Sequence, residues 1–118
     1  HGPPDAGEAS EGIVAALSNL HALVLECNHD ARMLADGRYP AFLKQRIAGP
    51  HGHLSNEQAA GILRRIDRSS LSWVAAAHLS RQNNRPELAR GALAGVLGCV
   101  ADEIDVADQE EGLAWRTV

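Results

Sequence analysis

Aromatic residues and cysteines are scarce in this 118-residue chain, which has one Phe, one Tyr, two Trp and two Cys. A core with so few aromatic rings rests on Ala, Leu, Val and Ile, which favours helices packed on a sheet over an all-β sandwich. Cys27 and Cys99 lie far apart in the sequence. That spacing is typical of buried, reduced thiols and not of a dense disulfide framework.

Long apolar runs and an excess of positive charge are missing as well. No segment reaches the length that a bilayer span needs, and no charged start followed by an apolar stretch predicts a secretory signal. We therefore expect a cytoplasmic protein without a membrane partner. The formal net charge is −4 at pH 7, so any surface that binds phosphate groups has to be local.

Helical and strand patterns alternate along the chain, and this order is typical of an α/β fold. Apolar periodicity and capping residues predict helices at 10–20, 30–35, 40–47, 55–66 and 86–97. Short apolar runs predict strands at 22–26 and 71–77, and a closing strand pair at 100–107 and 113–118. Residues 1–9 are expected to form a loop or a cloning remnant, and residues 10–118 a single domain.

Polar groups suited to catalysis gather in four places: at Asp5, at 26–30, at 51–55, and at 78–84. Three of these places follow a strand or precede a helix, so their side chains can face one cleft. Imidazole and carboxylate groups bind Zn²⁺ or Mn²⁺, and neutral imidazole is also a common acid or base near neutral pH. The pattern indicates a metallohydrolase.

Structural roles explain the same residues. The histidines at 51 and 53 are typical of a solvated loop, and Asn28 and Asp30 are strong helix N-cap residues. Asn83 and Asn84 precede Pro86 in a pattern that also predicts a turn and a cap. For His78, a hydrogen-bonded structural role and metal ligation are equally good interpretations of its position.

Several linked stretches, 25–30, 37–47, 52–56 and 78–89, resemble the metallo-β-lactamase-fold hydrolases in order and spacing. The similarity is to the branch of exonuclease-like WalJ proteins and, more distantly, to ribonuclease Z. It implies the C-terminal half of an αβ/βα sandwich, with a mixed sheet and helices on one face. It also implies a hydrolase that uses Zn or Mn, whose full form cleaves phosphodiester bonds in nucleic acid.

The resemblance also implies roles for individual residues. His78 matches a ligand of the second metal, and Asp5 resembles the aspartate that bridges two metals, although Pro3 and Pro4 stand where the family has the end of a strand. His53 resembles the histidine that assists phosphodiester cleavage, and Glu26 the carboxylate that orients it. The polar residues implied at the substrate side of the site are His29, Ser80, Asn83 and Asn84.

The chain departs from the family because it lacks the main metal-binding motif. The signature His-x-His-x-Asp-His, which supplies most metal ligands, does not occur in this chain. Two remaining ligands do not complete a site for two metals. We therefore expect weak metal binding by this chain alone, and pairing with a second copy or with a separate N-terminal half. The alternatives are a non-catalytic dimeric α/β module and a small-molecule hydrolase such as a lactonase or cyclic phosphodiesterase.

Overall fold

The computed structural model describes residues 20–107 and, before them, residues 12, 14, 17 and 18. This part of the chain alternates strands and helices, as the sequence predicts. The strands are β1 (Ala22–Glu26), β2 (Trp73–Ala77) and β3 (Asp105–Val106). The helices are α1 (Ala31–Asp36), α2 (Ala41–Ala48), α3 (Asn56–Arg65) and α4 (Pro86–Leu97), followed by a short 3₁₀ helix, Ala101–Glu103.

The three strands form a parallel sheet in the order β1-β2-β3. Leu23 pairs with Val74 and Leu25 with Ala76, so β1 and β2 run side by side over their full length. Helices connect successive strands, as a parallel arrangement requires. The expectation of a mixed sheet is therefore wrong for the described residues, and the predicted strand at 113–118 lies outside them.

The predicted strand at 100–107 is also mostly wrong. Local hydrogen bonds from Glu103 N–H to Val100 O and from Ile104 N–H to Ala101 O wind this segment into the 3₁₀ helix. Only Asp105–Val106 reach β2, and the buried side chain of Ile104 fixes the turn against the core. Two acidic residues in the first turn favour this helical start, because carboxylates are stabilised near the positive end of a helix.

Capping residues explain where the helices begin and end. The Asp30 side chain accepts the Met33 N–H at the start of α1, and Ser55 and Gln58 form a capping box at the start of α3. Pro86 occupies the first turn of α4, and Gly98 ends that helix in the left-handed conformation with φ 69°. These features confirm the sequence prediction for all three helices.

The core lies on one face of the sheet. Leu23 and Leu25 of β1 and Val74 and Ala76 of β2 point to the same face and pack in one cluster with buried residues of α3 and α4. Val24, which points to the opposite face, is 50% exposed. On the same face Ala75 and Ala77 of β2 are buried, so this half-open face is open along β1, which is consistent with a partial α/β domain.

None of the helices in the described residues is long and apolar enough to cross a membrane. The predicted helix at 10–20 falls largely outside the described residues, and so do Asp5 and the whole 1–9 segment.

Candidate functional site at the carboxyl edge of the sheet

The chain leaves β1 in an extended conformation, held on both sides by neighbouring segments. On one side the Cys27 N–H donates to Ala77 O at 2.9 Å, and the Ser80 N–H donates to Asn28 O at 2.7 Å. On the other side the Asn28 N–H donates to Leu54 O at 2.9 Å. The segments after β1, before α3 and after β2 therefore meet at the carboxyl edge of the sheet, where α/β proteins commonly bind ligands.

Glu26, the last residue of β1, lies between two histidines at this edge. Its Oε2 atom lies 3.3 Å from His53 Nδ1 and 3.5 Å from His78 Nδ1. Its Oε1 atom accepts the Leu54 N–H at 2.8 Å. The Glu26 side chain is 26% exposed, whereas His53 and His78 are 52% and 70% exposed. One partly buried carboxylate thus organises two imidazoles that remain open to solvent.

Opposing effects act on the pKa of Glu26. Burial raises it, but the Leu54 N–H, the hydrogen bond and charge of His53 and the contact with His78 outweigh burial and leave the pKa below its ordinary value. The carboxylate is therefore charged at neutral pH. A charged carboxylate is a strong acceptor for an imidazole N–H and fixes which ring nitrogen carries the proton.

The loop after α2 places His53. The His53 N–H donates to Ile47 O at 2.8 Å, so the loop folds back onto the last turn of that helix. This approach requires glycine at position 52, because a Cβ there would lie 2.2 Å from the carbonyl oxygens of Arg46 and Ile47. The loop is thus built around Gly52 and is not a loosely solvated connection.

His78 follows β2 in an unusual backbone conformation. Its φ is 59°, and it is the one non-glycine residue with positive φ among the described residues. Asn28 Nδ2 donates to His78 O at 3.1 Å and so helps to hold this turn. A non-glycine residue in the left-handed region has a conformational free-energy cost that surrounding contacts must offset. Such residues cluster at functional sites.

His29 lies beneath this edge and not at its surface. The residue is 2% exposed, and its Nδ1 atom lies 3.2 Å from Asn28 Oδ1. Burial lowers the pKa of His29, although the negative charge of Glu57 opposes that effect. The observed contacts of His29 are structural; a role at the substrate rim stays a prediction.

Asn84 and Asn56 form a buried pair of side-chain amides. Asn56 Nδ2 donates to Asn84 Oδ1 at 2.8 Å, and Asn84 Nδ2 donates to Asn56 Oδ1 at 2.9 Å. Asn84 Nδ2 also donates to Cys27 O, while its Oδ1 accepts the Arg85 N–H, both at 2.8 Å. The pair ties the end of β1 to the starts of α3 and α4. These contacts account for Asn84 as a structural residue, and its substrate contact stays a prediction.

Ser80 and Asn83 line an open cleft of about 250 Å³ beside His53. The Ser80 hydroxyl accepts the Asn83 N–H at 3.1 Å, and Asn83 O accepts the Asp30 N–H at 2.9 Å. The other residues of the wall are Asn28, Tyr39, Ile47, Leu79 and Arg81. The structure therefore brings the predicted residues 53, 80 and 83 to one cavity.

The described residues alone do not fit a two-metal centre. Within 20–107 no group of three or more His, Cys, Asp or Glu side chains is placed to hold a metal ion. The Nδ1 atoms of His53 and His78 both face Glu26, in an arrangement of hydrogen bonds and not of ligands around a shared ion. Asp5, the second predicted ligand, lies outside the described residues.

Several residues that build the site are absent from the sequence prediction. Asn56 follows the predicted cap Ser55, and only its hydrogen bonds with Asn84, far from it in the sequence, reveal its structural role. Gly52 lies in a stretch rich in Gly and Pro, which predicts a loop but not the close backbone approach at this position. The predicted burial of Cys27, by contrast, is confirmed: the residue is fully buried, and burial first, then the negative charges of Glu26 and Glu57, raise the pKa of its thiol to about 12. Its thiol is therefore inert, whereas Cys99 is only partly buried.

These observations define an α/β structure with a three-stranded parallel sheet and with a carboxylate and two histidines at the carboxyl edge of that sheet. The chain is 39% identical over 93 residues to exodeoxyribonuclease YycJ of Bacillus anthracis, in a match that covers 79% of this chain and 35% of that protein. It is 38% identical over 85 residues to exodeoxyribonuclease WalJ of Streptococcus pneumoniae strain D39, covering 72% of this chain and 32% of that protein.

The chain thus spans about a third of the length of the curated relatives it matches. No protein-family model matches the chain, and no solved structure matches it. The expected resemblance to exonuclease-like WalJ proteins is confirmed by these relatives, whereas the metallo-β-lactamase fold stays a prediction.

Proposed function

We propose that this chain supplies one edge of the active site of a nuclease-type hydrolase that cleaves phosphodiester bonds in DNA. The observation that carries the proposal is the Glu26 carboxylate, which lies within 3.5 Å of the Nδ1 atoms of both His53 and His78 at the carboxyl edge of the sheet. The similarity to two proteins named exodeoxyribonuclease supports this reaction class and substrate.

The geometry suits His53 to proton transfer. Glu26 accepts the Nδ1–H of His53, which leaves Nε2 as the atom that faces a substrate. When the ring also carries a proton on Nε2, His53 can donate a hydrogen bond to a phosphate oxygen. It can pass that proton to the leaving oxygen as the oxygen of a water molecule bonds to phosphorus and the original P–O bond breaks. Gly52 and the Ile47 carbonyl hold the backbone that presents this ring. In this proposal Glu26 positions His53 and stabilises the charge that its ring gains when protonated.

We also propose that the hydrolysis requires Zn or Mn. Among the described residues His78 is the one candidate ligand for Zn or Mn, with the other ligands supplied from outside them, Asp5 included. His78 shares the Glu26 carboxylate with His53, and this contact orients its ring in the same way.

The half-open face of the sheet is the surface where we place the rest of such an enzyme. Val24 is 50% exposed there, on the strand that ends at Glu26. The relatives are about three times as long as the matched segment, so the partner for this face is the remaining part of a protein of that length. Sedimentation of the 118-residue chain and of its Val24→Asp variant tests the alternative: a stable homodimer that this substitution dissociates would assign this face to a second copy.

The proposed function is tested by a chimera in which this chain replaces the matched segment of the Bacillus anthracis relative. We expect the chimera to release nucleotides from the ends of linear DNA, and Glu26→Gln to abolish most of that release. A chimera that folds but leaves DNA intact, while the unaltered relative degrades it, would contradict the proposal. Hydrolysis of a lactone or a cyclic phosphodiester in place of DNA would indicate the small-molecule alternative.

A further inference from the structure

The cleft beside His53 is also lined by two residues that the proposed reaction does not use, Tyr39 and Arg81. His53 itself belongs to the wall of this cleft. Tyr39 comes from the connection between α1 and α2, and Arg81 from the connection between β2 and α4. Two separate loops thus bring an aromatic ring and a cation to the cavity that holds the proposed catalytic histidine.

The charge of both loops suits an anionic ligand. Between Asp36 and Glu57 the chain carries three Lys or Arg residues and no acidic residue. Between Asp67 and Glu87 it again carries three cations and no acid. Of these six cations, Arg81 lines the cleft, whereas Arg68 lines a different cavity. A cation in the wall of a cleft attracts phosphate groups even where the whole molecule has a net charge of −4.

The size and lining of the cleft limit what it can bind. Its volume of about 250 Å³ is at the small end of ligand sites and has room for one base with its sugar, not for a base pair. Bases in a duplex are stacked on their neighbours and cannot reach a ring inside such a cavity. An aromatic ring beside cations is the usual means of holding single-stranded nucleic acid, because every base has a face that stacks.

We propose that this cleft holds one nucleotide of a single-stranded DNA segment, with Tyr39 stacked on the base and Arg81 on a phosphate. The inference rests on the proposed function and names how its substrate is held. It places the phosphate bound by Arg81 next to His53, since both side chains line the same cavity. Tyr39 and Arg81 are thus binding residues, and they explain how an acidic chain selects a strand end that has been freed from its complement.

Fluorescence anisotropy of a labelled oligothymidylate with the 118-residue chain tests the proposal. We expect Tyr39→Leu and Arg81→Ala each to weaken binding about tenfold, and Arg81→Ala also to reduce its salt dependence. Tyr39→Trp, which keeps a stacking ring, should bind at least as well as the wild type. Phe42→Ala and Arg64→Ala are matched controls: Phe42 is 64% exposed, Arg64 is exposed on α3, and neither lines the cleft.

Equal binding by Tyr39→Leu, Tyr39→Trp and wild type, with circular dichroism showing folded chains, would overturn the inference. Tighter binding of a blunt duplex than of the single strand would overturn it as well. The chimera separates the two proposals. If Glu26→Gln abolishes DNA degradation but Tyr39→Leu leaves KM unchanged, the cleft assignment fails and the proposed function stands. If the single strand binds as expected but the chimera degrades no DNA, the proposed function fails and the binding site remains.

Discussion

Replacing Glu26 by Gln tests whether the carboxylate holds the site together through its charge. In the wild type, Oε1 accepts the Leu54 N–H at 2.8 Å and Oε2 lies 3.3 Å from His53 Nδ1. A hydrogen bond to a charged group contributes about 1.5–3 kcal/mol, roughly twice a neutral one. Glutamine keeps an acceptor for Leu54, and exposed imidazole contacts add less than about 1 kcal/mol each. We therefore expect Glu26→Gln to reduce the free energy of unfolding by about 1–2 kcal/mol at neutral pH.

The pH dependence of this loss gives the sharper test. The pKa of Glu26 is lower in the folded chain than its ordinary value, so folding favours the charged carboxylate. Its contribution is present above the unfolded-state pKa, about 4.3, and is lost as the pH falls through the lowered folded-state pKa. Urea unfolding of wild type and Glu26→Gln should therefore differ at neutral pH and converge in acid.

Glu57→Gln is the matched control for this measurement. Glu57 also accepts one backbone N–H, from Ala31 at 3.2 Å, but it lies exposed on the surface and has no ion pair with a histidine among the described contacts. Its substitution should change the free energy of unfolding less than Glu26→Gln does. A Glu26→Gln effect that is absent at neutral pH, or that persists unchanged in acid, would refute the charge-based account of the site.

Three further substitutions test how the site is built. Gly52→Ala puts a Cβ within 2.2 Å of two carbonyl oxygens, so we expect it to lower the free energy of unfolding by about 2 kcal/mol and to displace His53. Urea unfolding measures the first effect, and reduced nucleotide release by the chimera measures the second. Unchanged values for both would contradict the loop geometry. Asn84→Ala removes a buried amide and the hydrogen bonds that it makes to the Asn56 amide and the Cys27 carbonyl. We expect the free energy of unfolding, measured in urea, to fall by about 2–4 kcal/mol. A loss below about 1 kcal/mol would show that the pair is dispensable. His78→Gly should be about 1 kcal/mol more stable to urea than His78→Ala because the φ of 59° costs little for glycine; equal stability would argue against the left-handed turn.

Local signals predicted most of the helices and both long strands. Asp30, Ser55 and Pro86 mark three helix starts by chemistry that acts within a few residues, so the sequence alone reveals them. The apolar runs of β1 and β2 are equally local. By contrast, the segment after Gly98 resembles a strand in composition, and only its contacts with the core turn it into a 3₁₀ helix with a two-residue strand.

The features of the site also separate into those that the sequence predicted and those that depend on contacts across the fold. The resemblance implied that Glu26 orients His53, and the structure places these side chains in contact, although their catalytic roles stay predictions. The shared contact of His78 with Glu26 was not predicted, because it depends on the parallel register that brings the ends of β1 and β2 together. The amide pair of Asn56 and Asn84 joins residues 28 positions apart, and no spacing rule relates them. Such contacts follow from the packing of the whole domain.

The most direct test of the central claim compares two histidines that lie two residues apart in the same loop. His53 contacts the Glu26 carboxylate, whereas His51 is exposed and lines none of the described cavities near the site. The measurement is nucleotide release from end-labelled DNA by chimeras carrying His53→Ala or His51→Ala. We expect at least a hundredfold loss for His53→Ala, because it removes an acid–base group, and wild-type release for His51→Ala. Equal release by both folded variants would contradict the central claim.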